Sequence, residues 1–242
     1  MPMATDIPAG WYPDPGQQSG LRWWDGSGWT SHVSAPHGGA GRADIDDEVG
    51  SGRRARTALL VAVPAHVIGL VSFRVHLRDF VDQLRDFDFE SGAASPPFTS
   101  GAWAVPMQIS AAVGTLVGVV FLLWFSRSAT NARALGLPAR REPAAAVAGF
   151  LVPVINLWWP YQSACDLFRP EDQRRGLVLR WFLLWMVGGL VGSVVSWLSL
   201  LIDGWTGWLL LAVPAVLTTL AALAARQMIA EVVAAHESLA RR

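Results

Sequence analysis

Apolar runs free of charge dominate this chain: Thr57–Phe73, Ala102–Ser126, Ala144–Cys165, Trp181–Ile202 and Trp205–Ala225. A hydrocarbon core about 30 Å thick needs roughly 20 helical residues at 1.5 Å each. All but the first run exceed that length; the first is marginal, at about 17 residues, and contains Pro64 and His66. The third is interrupted from within: Pro153 and Pro160 lack backbone donors, Asn156 lies between them, and Trp158 and Trp159 favour headgroup depth. The pattern predicts an all-α polytopic membrane helical bundle with spans at about 57–75, 102–126, 179–202 and 205–226, and a proline-broken re-entrant or interfacial segment at 144–165. A kinked fifth span at 144–165 stays open, as does a failure of 57–73 to cross.

Arginine placement separates these options, because short cytoplasmic loops accumulate it. Five crossings would put seven arginines inside and ten outside, whereas four spans with 144–165 returning to its own side give fourteen against three. Letting 57–73 stay outside the bilayer instead gives thirteen against four. The second arrangement predicts a multi-pass cell-membrane protein with both termini cytoplasmic. The polar start, Met1–Gly10, lacks the basic and apolar regions of a cleavable signal peptide.

Ahead of the spans, Gly10-Trp11-Tyr12-Pro13-Asp14-Pro15 is followed by Leu21-Arg22-Trp23-Trp24-Asp25-Gly26 and Trp29-Thr30. Asp25-Gly26 between aromatic runs signals a β-hairpin, since the turn needs the positive φ that Gly supplies. A Trp-rich β module over 1–33 is too small for a substantial core. Its aromatics Trp11, Tyr12, Trp23, Trp24 and Trp29 therefore either pack on Pro8, Pro13 and Pro15 or form a docking face for a protein partner or the headgroups. These residues resemble domain-of-unknown-function family 2510, a short Trp-rich module; the resemblance implies a bacterial membrane protein carrying it at the N-terminus. Residues 34–56, rich in Gly, Ala, Ser and Asp, are expected to be a flexible tether to a membrane domain at 57–242. Arg53, Arg54 and Arg56 at its end read as a topology signal that also attracts anionic lipid.

Within the membrane domain, Phe73, Leu77, Phe80, Leu84 and Phe87 form one apolar stripe, predicting an amphipathic outer helix at 74–89 with an Arg78–Asp82 pair on its polar side. Gly114 with Gly118, and Gly188 with Gly192, mark close helix packing within the bundle or a homo-oligomer face. Intramembrane polar groups, His66 and Asn156, are the candidate polar site, and Arg180 is expected to snorkel to the headgroups. Asn131, Ala134-Leu135-Gly136, Pro143, Gly149-Phe150, Pro153, Asn156-Leu157-Trp158 and Pro160, with Trp124, Arg127, Trp181 and Trp185, resemble domain-of-unknown-function family 4328 over about residues 57–230. That resemblance implies a multi-span bacterial membrane protein and carries no established activity.

Composition agrees with the pattern: 52% of residues are hydrophobic and 16% charged, and mean hydropathy is +0.33. Nineteen arginines, with no lysine, balance nineteen acids, so net charge gives no reason to expect a nucleic-acid partner. One cysteine, Cys165, excludes an internal disulfide and thiolate metal clusters, and is expected to be a packed thiol. The chain lacks a P-loop, a Gly-x-Ser-x-Gly turn and a second histidine for His236-Glu237, so no enzyme, metal or cofactor is expected. Two functions follow from these readings. One is a membrane-anchored interaction or scaffold protein, with lipids around the bundle and an unknown protein at the module. The other is a small-solute transporter or channel using the broken helix around Asn156.

Overall fold

The computed structural model describes residues 8–15, 21–34, 44–85, 104–202 and 204–241. It divides into two compact units, Met1–Ala43 and Asp44–Arg242.

The first unit is a three-stranded antiparallel sheet in the order β1 (Gly10–Pro13), β2 (Leu21–Trp24), β3 (Trp29–Ser34). Sequence reading predicted the β2–β3 hairpin, and β1 extends it, with Trp11 opposite Trp23 and Tyr12 opposite Arg22. The turn runs through Asp25–Gly28: Gly26 has φ +96°, a left-handed conformation that Gly adopts freely. The Asp25 carboxylate accepts the Ser27 and Gly28 amides, both at 2.7 Å, and the Ser27 hydroxyl at 2.8 Å. The Asp25 amide donates to the Gly28 carbonyl, closing the loop so that Trp24 pairs with Trp29.

The second unit contains α1 (Ile45–Arg85), α2 (Ala104–Ala134), α3 (Pro143–Ala148), a 3-10 turn at Ile155–Leu157, α4 (Trp159–Cys165), α5 (Arg175–Leu201), α6 (Gly204–Leu210) and α7 (Ala212–Ala240). Four helices are long and apolar enough to cross a bilayer: α1, α2, α5 and the continuous α6–α7 pair. These are the four expected spans. Helix α1 packs along α2 and α7, and α7 along α5. The start of α1, the end of α2, the start of α5 and the end of α7 gather at one arginine-rich end.

Two elements differ from expectation. Residues 45–56 are the first three turns of α1, not tether. Asp44 caps them, accepting the Asp47 amide at 2.9 Å, and Asp46, Asp47 and Glu48 lie at the positive end of the helix dipole. Small residues that suggested flexibility, Ser51, Gly52 and Ala55, form a buried face with Glu48. A Cβ on Gly52 would come within 3.2 Å of Val233 and 3.3 Å of the Trp124 indole nitrogen, so Gly permits a close crossing there. The expected outer helix 74–89 is likewise the far end of α1 as far as Arg85, and residues 86–89 lie outside the described ones. There Asp82 pairs with Arg85 at 3.4 Å, and Arg78 reaches the Ile202 carbonyl.

Helix α1 is 41 residues, roughly 60 Å, and so projects beyond a hydrocarbon core. Helix α2 ends at a Schellman motif: Gly136, at φ +75°, donates to the Arg133 carbonyl while Leu137 donates to Ala132. Segment 144–165 consists of two short helices and a 3-10 turn, and its two flanks lie at the same end of the unit. The Arg140 amide donates to the Asp166 carboxylate at 3.0 Å, tying its flanks together. Pro143 and Pro160 occupy first-turn positions of α3 and α4, where a missing N–H costs nothing. The break falls at Gly149–Val154, whose tip exposes Leu151, Val152 and Val154.

Candidate functional site

In the module, strand alternation and the Trp24–Trp29 pair gather Tyr12, Trp24 and Trp29. The Trp24 and Trp29 rings meet edge-on at 5.3 Å between centroids, and Tyr12 meets Trp29 at 6.4 Å. The Tyr12 hydroxyl donates to the Pro8 carbonyl at 2.9 Å. Arg22 bridges the buried Asp14 carboxylate at 3.1 Å. Trp29 remains 41% exposed, so this aromatic cluster is only partly a core. Trp23, on the opposite side of β2 by alternation, is half-buried, and its carbonyl accepts the Thr30 hydroxyl at 3.0 Å. Trp11 is placed by its strand pairing alone. The Ser27 amide and hydroxyl, then the Gly28 amide, hold the Asp25 carboxyl below the usual carboxylate range.

The two intramembrane candidates do not form one site. His66 lies half-buried on α1, beside Ala65, whose carbonyl accepts the Ser110 hydroxyl of α2 at 2.7 Å. Asn156 lies in the broken segment. Its backbone N–H donates to the Val152 carbonyl, while its side-chain oxygen is buried without a partner among the described residues. No hydrogen bond joins His66 and Asn156 among the described residues.

The glycine pairs also divide. Gly188 and Gly192 do pack: an added Cβ would meet Leu217 at 3.4 Å and Pro214 at 3.2 Å, both on α7. Gly114 and Gly118 do not, since nothing lies within 4 Å of a Cβ at either. They open instead into an apolar cleft of about 330 Å³ between α2 and α5, which also involves Leu59, Phe150 and Ala225. Helices α2 and α5 lack an extended contact of their own among the described residues. At the base of the cleft their gap is bridged by the rings of Phe121, Phe150 and Trp181, and Trp181 stacks on Trp185 at 5.8 Å.

Sequence reasoning missed a buried polar network at the arginine-rich end. Glu48 of α1 and His236 of α7 are both fully buried. The His236 Nδ1 lies 2.9 and 3.0 Å from the two Glu48 carboxylate oxygens, and Nε2 lies 3.0 Å from the Leu167 carbonyl. Each ring nitrogen thus has an oxygen partner, so the buried imidazole is fully hydrogen-bonded. The Ser128 hydroxyl donates to the same carboxylate at 2.7 Å and the Asn131 amide at 2.8 Å. Asn131 also exchanges hydrogen bonds with the backbone of Asp44. One carboxylate thus joins α1, α2 and α7, and the ring extends the link to the loop after α4. Ser128 donates to Glu48 and not to the histidine, so no activated nucleophile results. A signal existed: His236 follows Ile229 by seven residues and Val232 by four, which puts it on the apolar side of α7.

Among other groups, Arg74 is fully buried, donating to the Ile202 carbonyl at 3.0 Å with its guanidinium 5.0 Å from the Trp208 ring. Arg180 bonds the Gln227 side chain. Cys165 is free and buried.

Four helices long and apolar enough to cross a bilayer, with a proline-broken re-entrant or interfacial segment, define a multi-pass membrane protein. The chain belongs to the family described as "Domain of unknown function (DUF4328)", which matches residues 98–238. That match begins near the start of α2, so α1, included in the sequence resemblance, lies outside it. Residues 9–42 match "Protein of unknown function (DUF2510)", at the place of the β module. No curated protein and no solved structure matches the chain.

Proposed function

We propose that this chain is a non-enzymatic, membrane-anchored interaction protein of a bacterial cell membrane, presenting its Trp-rich module to a protein partner. The observation that carries the reading is the module's aromatic cluster. Trp29 is held edge-on by Trp24 and Tyr12 yet exposed, on a turn fixed by the Asp25 carboxylate, and such rigid half-exposed aromatics are what recognition surfaces use. The arginine-rich end is the cytoplasmic one in this reading, because Arg53–Arg56, Arg127–Arg141, Arg169–Arg180 and the C-terminal arginines all belong to it. Both termini are then cytoplasmic.

The test is a photo-crosslinking amino acid at position 29 of the full chain in its own cells. A discrete protein adduct that disappears with Trp24→Ala is expected. Adducts to lipid alone, or the same adducts from a probe at Ser31, would overturn the reading.

A second reading, a small-solute pathway at Asn156, is favoured by the buried, unpartnered oxygen of that side chain. Its test is solute flux in liposomes: Asn156→Leu abolishes flux if the reading is correct, and an unchanged flux removes it.

A further inference from the structure

At the arginine-rich end a second cavity, about 370 Å³ in volume and lined by both polar and apolar residues, lies between the loop after α2, helix α4 and the first turns of α5. Arg140, Tyr161, Gln173 and Arg175 bring guanidinium, phenol and amide donors to it. The charges around it are unevenly balanced. Asp172 also lines it, but both oxygens are engaged by Arg174, at 2.7 to 3.1 Å, which holds the carboxyl below its ordinary range. The Asp166 carboxylate accepts the Arg140 amide and lies 3.7 Å from its guanidinium. Arg175 has no carboxylate partner among the described residues. One of its terminal nitrogens donates to the Pro170 carbonyl at 3.0 Å, and its Nε is shut away from solvent without a hydrogen-bond partner among the described residues. The cavity therefore has in Arg175 a cation that no carboxylate among the described residues compensates.

What stands beside the cavity points to the source of the anion. Leu179 forms part of its wall, and Leu183, Val187 and Leu190 continue from it at helical steps of four, four and three residues along one side of α5. All four are exposed, Leu190 the most at 69%, on a helix that is long and apolar enough to cross the bilayer. At that depth such a stripe is covered by acyl chains, which places the cavity where the headgroup of the same lipid would lie. A phosphodiester carries one negative charge and oxygen acceptors that match guanidinium, phenol and amide donors. We propose that this cavity binds the headgroup phosphate of an anionic phospholipid. Arg175 is its principal cation, Arg140 and Tyr161 are supporting donors, and the acyl chain lies on the Leu179–Leu190 stripe. A free phosphate shares the chemistry of the cavity but makes no use of the stripe.

Native mass spectrometry of the full chain in mild detergent tests the site, using phosphatidylglycerol and phosphatidylcholine with identical chains and inorganic phosphate as competitor. Phosphatidylglycerol is expected to be retained in preference to phosphatidylcholine, and millimolar phosphate is expected to leave it in place. Arg140→Gln with Arg175→Gln is expected to weaken retention roughly thirtyfold, about a factor of five for each arginine. Equal retention of the two lipids, or unchanged retention by the double variant, would overturn the proposal. Displacement by phosphate would overturn it in favour of a soluble phosphate compound. Should the double variant lose its helical circular dichroism, the comparison of the two lipids on the unmodified chain decides.

Discussion

The Glu48–His236 pair shows how much a few buried atoms decide. Removing one partner leaves the other's hydrogen-bonding atoms unsatisfied in a site closed to water, so His236→Ala is expected to lower bundle stability by about 1–3 kcal/mol, read as a shift of the unfolding midpoint in detergent. Glu48→Gln with His236→Gln replaces both ionisable groups by amides and is expected to cost less than the sum of the single changes. At Asp25 the effect is one of pH. Its carboxyl titrates below the ordinary carboxylate range in the folded turn, so the turn's extra stability is complete above that range and is lost as pH falls through the lower, folded value. The Ser27 and Gly28 amide resonances should therefore hold steady from neutrality to about pH 5 and shift in stronger acid, and Asp25→Asn should abolish the shift. Asp25-Gly26 was legible because a turn is written in adjacent residues. Glu48 with His236 was not: the sequence shows an acid in an acidic run and a histidine on an apolar stripe, and only the packing of α1 on α7 makes them partners.

Among the elements, the helices were legible by length and apolarity, but their ends and contacts were only partly so. Gly52 and Gly69 stand alone in α1, outside any four-residue glycine spacing, yet both permit close crossings. A Cβ on Gly69 would collide with the Ser110 side chain of α2. Gly114 and Gly118 have the spacing and meet nothing. A spacing rule records that a backbone could approach, whereas approach depends on which face the fold turns inward. Gly69→Leu is accordingly expected to destabilise the α1–α2 packing by about 1–3 kcal/mol, and Gly114→Leu to change stability by less than about 0.5 kcal/mol, both measured by unfolding in detergent. Residues 45–56 were read as tether for a related reason: Gly, Ser and Ala look flexible in isolation, and become helix where their smallness lets α2 and α7 come near.

For the molecule as a whole, the count of spans followed from apolar runs, and the return of 144–165 followed from arginine bookkeeping together with its prolines. Thiol labelling of intact cells on a Cys165→Ser background checks the orientation: a cysteine at Thr206 should react from outside, and one at Glu171 only after permeabilisation. The buried histidine has a further consequence, one of time. Glu48 and His236 are 188 residues apart in the chain. At roughly 5–20 residues per second, a ribosome needs about 10–40 s to deliver the second after the first. By the end of that interval the apolar runs of all four spans have been made, while Glu48, Ser128 and Asn131 still wait for the imidazole. The nascent bundle thus stays open at its arginine-rich end until the last turns of α7 emerge, and a chain released before residue 236 would present an unclosed acidic site to the quality-control proteases that survey the membrane.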